Sequence, residues 1–282
     1  MNKPGRLDGA IALSSLFISP LCRLLFLAHL WHKGSRPFVI VPTSRRHPTP
    51  NMLYWLIWLG FIAYAAFLAP PDRPETLSLI QNLSTGQWDG INPLIIALFN
   101  LMGIWPLIYS AVLYADGRGQ RVRAFPFAAG SFAVGAFALL PYLALRKPNP
   151  TFIGETSWLI RILDSVWTGR VLLLGAIALL VYGFTQGNWA DFVQQWQTSK
   201  FIHVMSLDFV ALSALFPVLL RDDLARRGLG SRWFWAIALV PLLGPLVYLS
   251  IRPPLARATE FATSEIAPET APETAPEVSL EG

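Results

Sequence analysis

The sequence predicts an all-α, polytopic membrane helix bundle with about six transmembrane helices and one short interfacial helix, and three observations predict it. First, Ile91–Ala115 and Ala124–Leu145 are uncharged runs of 25 and 22 residues, separated only by DGRGQRVR. At about 1.5 Å of rise per residue, each is long enough as a helix to cross a hydrocarbon core of roughly 30 Å. Second, 54% of the 282 residues are hydrophobic and only 14% are charged, against roughly a quarter charged in a soluble domain. Third, the chain carries 11 Trp, 18 Phe and 7 Tyr, and amphipathic aromatics collect where helices leave a bilayer.

Taken in order, residues 1–51 form a basic leader in which Pro20 and Arg23 interrupt the apolar stretch Ile11–Leu30. They read as a targeting leader, an interfacial helix, an extra marginal span, or sequence upstream of a start at Met52. The lone Cys22 excludes an intrachain disulfide and a cysteine-based metal cluster. The transmembrane helical domain covers 52–254. Its first span, Met52–Ala69, opens with Tyr54, Trp55 and Trp58 at the headgroup level and stops at Pro70-Pro71. Asn92-Pro93 caps the second span, and Pro106 predicts a kink in it. The third, Ala124–Leu145, carries Ala129, Ser131, Ala133 and Gly135, small residues at i,i+4 spacing that allow close helix approach. That face makes it the expected central helix.

Thr156–Trp167 reads as the interfacial helix, with Arg161 and Asp164 three apart and able to pair. Val171–Gln186, Phe201–Leu220 and Trp233–Ile251 supply the remaining spans. Residues 255–282 form an acidic tail with three Ala-Pro-Glu copies and too little apolar material to order.

Charge and topology conflict in this scheme. Six crossings place the turns 116–123 and 221–232 on opposite sides, yet both are rich in arginine, which the positive-inside rule gathers on one side. The count between them is the weak point, through a re-entrant Thr156–Trp167 or an incomplete pair of crossings in 171–220.

Asp208 is the sharpest candidate for chemistry. A lone carboxylate about 10 Å into a span must face the bundle, carry a proton or meet a cation. His203 lies five residues earlier and projects to another face. With four histidines in the chain, the ligands for a metal centre are lacking, and no metal is predicted. Asp222, Asp223, Arg226 and Arg227 have i,i+4 spacing for two local pairs on a charged turn. That turn reads as a docking surface, and Arg118, Arg121 and Arg123 read as docking or lipid-headgroup contacts. No dinucleotide fingerprint, phosphate loop or metalloprotease motif is present, so catalytic residues and cofactors stay unknown and a non-enzymatic role is favoured. The acids cluster in the tail, leaving the body basic. Beside apolar spans, that charge faces lipid headgroups of the bilayer, not nucleic acid.

On the phrases NPLIIALFNLMGIWPLIY, AFPFAAGSFAVGAFALLPYLALR and IHVMSLDFVALSALFPVLLRDD, the body resembles multi-span membrane proteins of unassigned function from cyanobacteria and chloroplasts. The resemblance implies a thylakoid or plasma membrane and brings no site residues. Three functions are carried forward. The first is an accessory or assembly protein of a larger membrane complex, with a photosynthetic complex among the partners the resemblance suggests. The second is a small-molecule or ion transporter using Asp208. The third is a membrane enzyme acting on a lipid, isoprenoid or pigment.

Overall fold

The computed structural model describes residues 52–152, 156–230 and 232–255, and every regular element in them is a helix. The leader with Cys22 and the tail beyond Leu255 lie outside the described residues. In chain order come α1 (Met52–Ala63, continued by a π turn over Tyr64–Leu68), α2 (Thr76–Thr85), α3 (Pro93–Asp116), α4 (Ala124–Val134) and α5 (Ala136–Leu145). They are followed by α6 (Trp158–Asp164), α7 (Val166–Gln186), α8 (Trp189–Thr198), α9 (Lys200–Arg226), α10 (Arg232–Ala238) and α11 (Leu243–Ile251).

Among the described residues, three helices are long and apolar enough to cross a membrane: α3, α7 and α9, with 24, 21 and 27 residues. This is an integral, multi-span membrane protein, but the expected six spanning helices are not there. Met52–Leu68 falls just short of spanning length. Two of the expected spans turn back before crossing.

Ala124–Leu145 is broken at Gly135 into α4 and α5, which fold against each other as a hairpin. Phe127 meets Tyr142 with ring centroids 5.6 Å apart, and a Cβ at Gly130 would lie 3.2 Å from that of Ala138. After the return, Arg146 reaches Asp116, the residue at which α3 ended. Trp233–Ile251 likewise folds into α10 and α11, with Gly244 packed on the Ile237 carbonyl group and Arg252 returning to Asp223 at the end of α9. Arms of 10 and 11 residues rise only about 15 Å, half of the hydrocarbon thickness. Length and hydropathy, summed over an uncharged run, do not register a reversal in its middle. At Gly135 the backbone adopts φ 52° and ψ −126°, a conformation open to glycine and closed to other residues.

The spanning helices fix the direction of everything else. Down the α3–α9 interface, Phe99 meets Phe201, Trp105 meets Phe209 and Tyr109 meets Phe216, with centroids 6.4, 6.0 and 5.8 Å apart. The two helices therefore run parallel, and α3, not the small-residue segment, is the central and most buried of the three. It continues without a break through Pro106. α7 runs the other way, with Gly183 close to Ala97 near the start of α3. The charged turns after α3 and α9 consequently lie at one end, which removes the conflict with the positive-inside rule. The miscounted segment was 124–145, whereas 171–220 does hold two complete helices.

The described chain is also a tandem repeat. An apolar helix (α1, α7), a ten-residue helix (α2, α8), a long parallel helix (α3, α9), a charged turn and a returning hairpin occur twice in the same order. The packing repeats too, with α1 on α5 as α7 is on α11, and α4 on α3 as α10 is on α9. Both hairpins end in Tyr-x-x-x-Arg, Tyr142–Arg146 and Tyr248–Arg252. At the opposite end, Asn92 donates from Nδ2 to Asp191 at 2.7 Å and Lys200 pairs with Asp72 at 3.0 Å, tying the start of each long helix to the surface segment of the other repeat.

Candidate functional site

The repeated end of the bundle holds a buried ion cluster. Asp116 accepts hydrogen bonds from Tyr142 Oη at 2.7 Å, Arg146 Nε at 2.9 Å and Arg226 Nη1 at 3.2 Å. In the second repeat, Asp223 accepts from Tyr248 Oη at 2.7 Å, Arg227 Nε at 3.0 Å and Arg252 Nη1 at 3.2 Å. The tyrosine, the arginine four residues on and the aspartate that closes the preceding long helix thus form the same lock twice.

Two further carboxylates complete the cluster. Asp222 pairs with Arg146 and accepts the Asn149 amide. Asp164 pairs with Arg227 at 2.6 Å and Arg252 at 3.2 Å. Four carboxylates and four guanidiniums cancel, and their side chains are no more than 12% exposed. A buried charge is tolerated only when it is paired and its remaining hydrogen bonds are met. Burial works against the charge of Arg146, but bonding to Asp116 and then Asp222 outweighs it, so its pKa lies above the ordinary arginine value. Arg227 is raised in the same way against its own burial, by Asp223 and Asp164. At Arg252 burial outweighs Asp223 and pulls the pKa down, yet a guanidinium remains charged at physiological pH.

The expected local pairing is half found. Asp223–Arg227 forms at i,i+4, but Asp222 turns to Arg146 and Arg226 bridges Asp116 and Asp223. Asp222, Asp223, Arg226 and Arg227, expected on a docking surface, are buried in a clamp between helices. Arg161 and Asp164 do not pair, because Asp164 is drawn to Arg227 and Arg252. Reading the sequence missed Arg146, Asp164 and Arg252 as cluster members. The signal that could have found the two arginines is the Tyr-x-x-x-Arg spacing shared by Tyr142–Arg146 and Tyr248–Arg252, each following an aspartate-bearing turn.

Asp208 sits at the other end of the first hairpin. Its Oδ1 accepts the Ala136 N–H at 2.8 Å, so a side chain of α9 caps α5 where the chain has just reversed. A Cβ at Gly135 would fall 2.6 Å from Asp208 Cγ, so only glycine leaves room for the carboxylate. The hairpin is held from its other side by α1. Pro141 lacks the N–H that would normally bond the Phe137 carbonyl, and Trp58 Nε1 donates to that oxygen at 2.9 Å. Trp58, expected at the headgroup level, is instead satisfying a carbonyl inside the bundle.

His203 is kept apart from Asp208. Its Nε2 meets Tyr64 Oη at 2.9 Å, its Nδ1 meets the Trp196 carbonyl at 3.0 Å, and its ring stacks on Trp196 at 4.4 Å. Among the described residues no group of three or more His, Cys, Asp and Glu could hold a metal ion. Of the small residues, Ser131 and Gly135 are buried, Ala129 is half-buried and Ala133 is exposed. They line a hairpin, not one face of a crossing helix. Arg118, Arg121 and Arg123 form no ion pair among the described residues, and Arg121 and Arg123 are exposed beside the buried cluster. Comparison with protein-family models, with curated proteins and with solved structures finds no match for the chain.

Proposed function

We propose that the protein is a non-catalytic accessory or assembly component of a larger complex in the plasma or thylakoid membrane, with its charged end facing the cytoplasm or stroma. One observation carries this reading: the interior charges are paired within the chain, while a set of arginines at one end forms no ion pair among the described residues. Asp208 holds a hairpin tip, and Asp116, Asp164, Asp222 and Asp223 hold four guanidiniums. The chemistry left for a partner is the rim formed by Arg121, Arg123, Arg161 and Arg221, all exposed. The orientation follows from gathering those cations on one side.

Native gel electrophoresis of gently solubilised membranes tests it. The full chain should migrate as part of an assembly well above its own 31.3 kDa, and Arg121→Glu with Arg123→Glu should release it as a folded monomer. A wild-type chain that migrates alone, with no bound protein, overturns the proposal.

The transporter reading keeps one specific observation: a broken helix whose N-terminus meets a carboxylate inside the membrane, within a repeated architecture, is how many transporters build a site. It requires Asp208→Asn to abolish uptake into vesicles while the fold survives. An enzyme acting on a lipid, isoprenoid or pigment has no comparable support from the geometry.

A further inference from the structure

The tandem repeat lets each hairpin serve as the reference for the other, and their clefts differ. In the first, the cleft between the two arms is filled by the chain itself, Phe127 lying on Tyr142. At the same offset as Tyr142 to Tyr248, the counterpart of Phe127 is Trp233. Trp233 is 44% exposed and makes no ring contact with Tyr248 among the described residues; its neighbour is the Arg232 guanidinium, 5.8 Å from the ring centroid. The second cleft is therefore open, with a volume of about 340 Å³.

Its walls are the facing stripes of the two arms. Trp233 and Ile237 of α10, with Val240 just past its end, oppose Gly244, Val247 and Ile251 of α11, spacings that put the residues of each helix on one face. The arms meet where Gly244 packs on Ile237, and the groove opens sideways, past the exposed Val240, Val247 and Ile251, onto the surrounding lipid. At the charged end stands Arg232, exposed and without an ion pair among the described residues, with Arg221 over Phe234 two residues further along α10. Arg252 lines the same groove, and its Nε–H is buried without a hydrogen-bond partner.

We infer that this groove is a binding site for an anionic glycerolipid. One acyl chain lies between α10 and α11, in the space that the first repeat fills with Phe127, and the phosphate rests on Arg232 at the membrane surface. The apolar walls match an acyl chain, the side opening gives entry from the bilayer, and the uncompensated arginines select a negative headgroup over a zwitterionic one. The inference does not depend on the proposed assembly role, because it holds whether or not a protein partner binds the arginine rim.

Native mass spectrometry of the delipidated full chain tests it, using phosphatidylglycerol and phosphatidylcholine with identical palmitoyl and oleoyl chains. One phosphatidylglycerol should be retained per chain, roughly fivefold more tightly than phosphatidylcholine, the factor one surface arginine supplies. Arg232→Gln should bring the two lipids level. Ala236→Trp, which fills the groove from α10, should remove the retained lipid and leave the helical far-ultraviolet dichroism and the unfolding midpoint of the fold unchanged. Val247→Trp fills it from the opposite wall and carries this arm if the first variant does not fold. Equal affinity for the two lipids in the wild type overturns the inference. So does a phosphatidylglycerol preference that survives a filled groove, since the headgroups would then be held by the basic rim in general.

Discussion

Replacing Gly135 by alanine tests the hairpin tip and the role of Asp208 together, because two penalties arise at once. The backbone there has a positive φ of 52°, which costs a residue with a Cβ about 1–2 kcal/mol. The new methyl would also occupy the space of the Asp208 carboxylate, 2.6 Å from its Cγ and 2.9 Å from its Oδ1. Asp208 must then swing away, leaving the buried Ala136 N–H without its acceptor for a further ~1–3 kcal/mol. Gly135→Ala should therefore destabilise the protein by roughly 2–5 kcal/mol in total. Asp208→Ala alone should lose only the hydrogen bond, ~1–3 kcal/mol. In the double variant the carboxylate is already gone, so the hydrogen bond is lost once and the total should match Gly135→Ala. The two changes should thus be coupled by about the whole cost of Asp208→Ala, and reversible unfolding in mixed micelles, followed by tryptophan fluorescence, measures it. Energies that add to within about 0.5 kcal/mol would mean that the carboxylate and the tip do not share this space, and the re-entrant geometry would fall with that.

Three other outcomes follow from the same contacts. Asp223→Asn should cost about 3–5 kcal/mol, because it strips a buried charge from three arginines, whereas Asp72→Asn at the exposed Lys200 pair should cost ~1 kcal/mol or less; denaturant midpoints of the two variants compare them directly. Trp58→Phe should lose about 1–3 kcal/mol with little change in packing, since it orphans the Phe137 carbonyl a second time; an unchanged midpoint would break the link to Pro141. Single cysteines replacing Arg121 and Gly230, in a Cys22→Ser background, should both react with an impermeant maleimide from one side of sealed vesicles, and a cysteine at Gln87 from the other. Labelling of the first two from opposite sides would restore a true crossing at 124–145.

Much of the fold was legible, and what was not has a common cause. The uncharged runs announced a membrane bundle, and Asn92-Pro93 and Pro70-Pro71 marked helix boundaries where the structure has them. What hydropathy does not encode is direction. A run of 22 apolar residues looks alike whether it crosses or doubles back, and the difference lay in Gly135, which reads equally well as a packing residue. The arginine conflict between the turns was the one sequence signal that something reversed, but it pointed to no particular segment. At the site, local spacing found Asp223–Arg227 and missed the pairs between elements, because Asp116 to Arg146 and Asp223 to Arg252 are joined only once the hairpins return. Asp208 was singled out by the cost of its charge, which is real, but its acceptor role at Ala136 depends on a helix break that no periodicity reveals.

The two repeats can be compared with each other, and the comparison separates what the fold needs from what each half adds. A half-crossing hairpin returns to the end it started from, and both halves fasten that exit with tyrosine, arginine and aspartate. Those residues are accounted for by architecture. The tips and clefts are not held in common. The first tip is capped by Asp208 across from Gly135, while the second closes on itself through the Leu243 N–H and the Pro241 carbonyl, with Leu242 at a positive φ of 61°. The first cleft is packed and the second is open. Whatever the protein does beyond standing in the membrane has to come from such differences, or from the rim of arginines that neither lock consumes. Substitutions in the locks should therefore lower stability and activity together, whereas Arg232→Gln and Arg121→Glu should alter binding in a protein that remains folded.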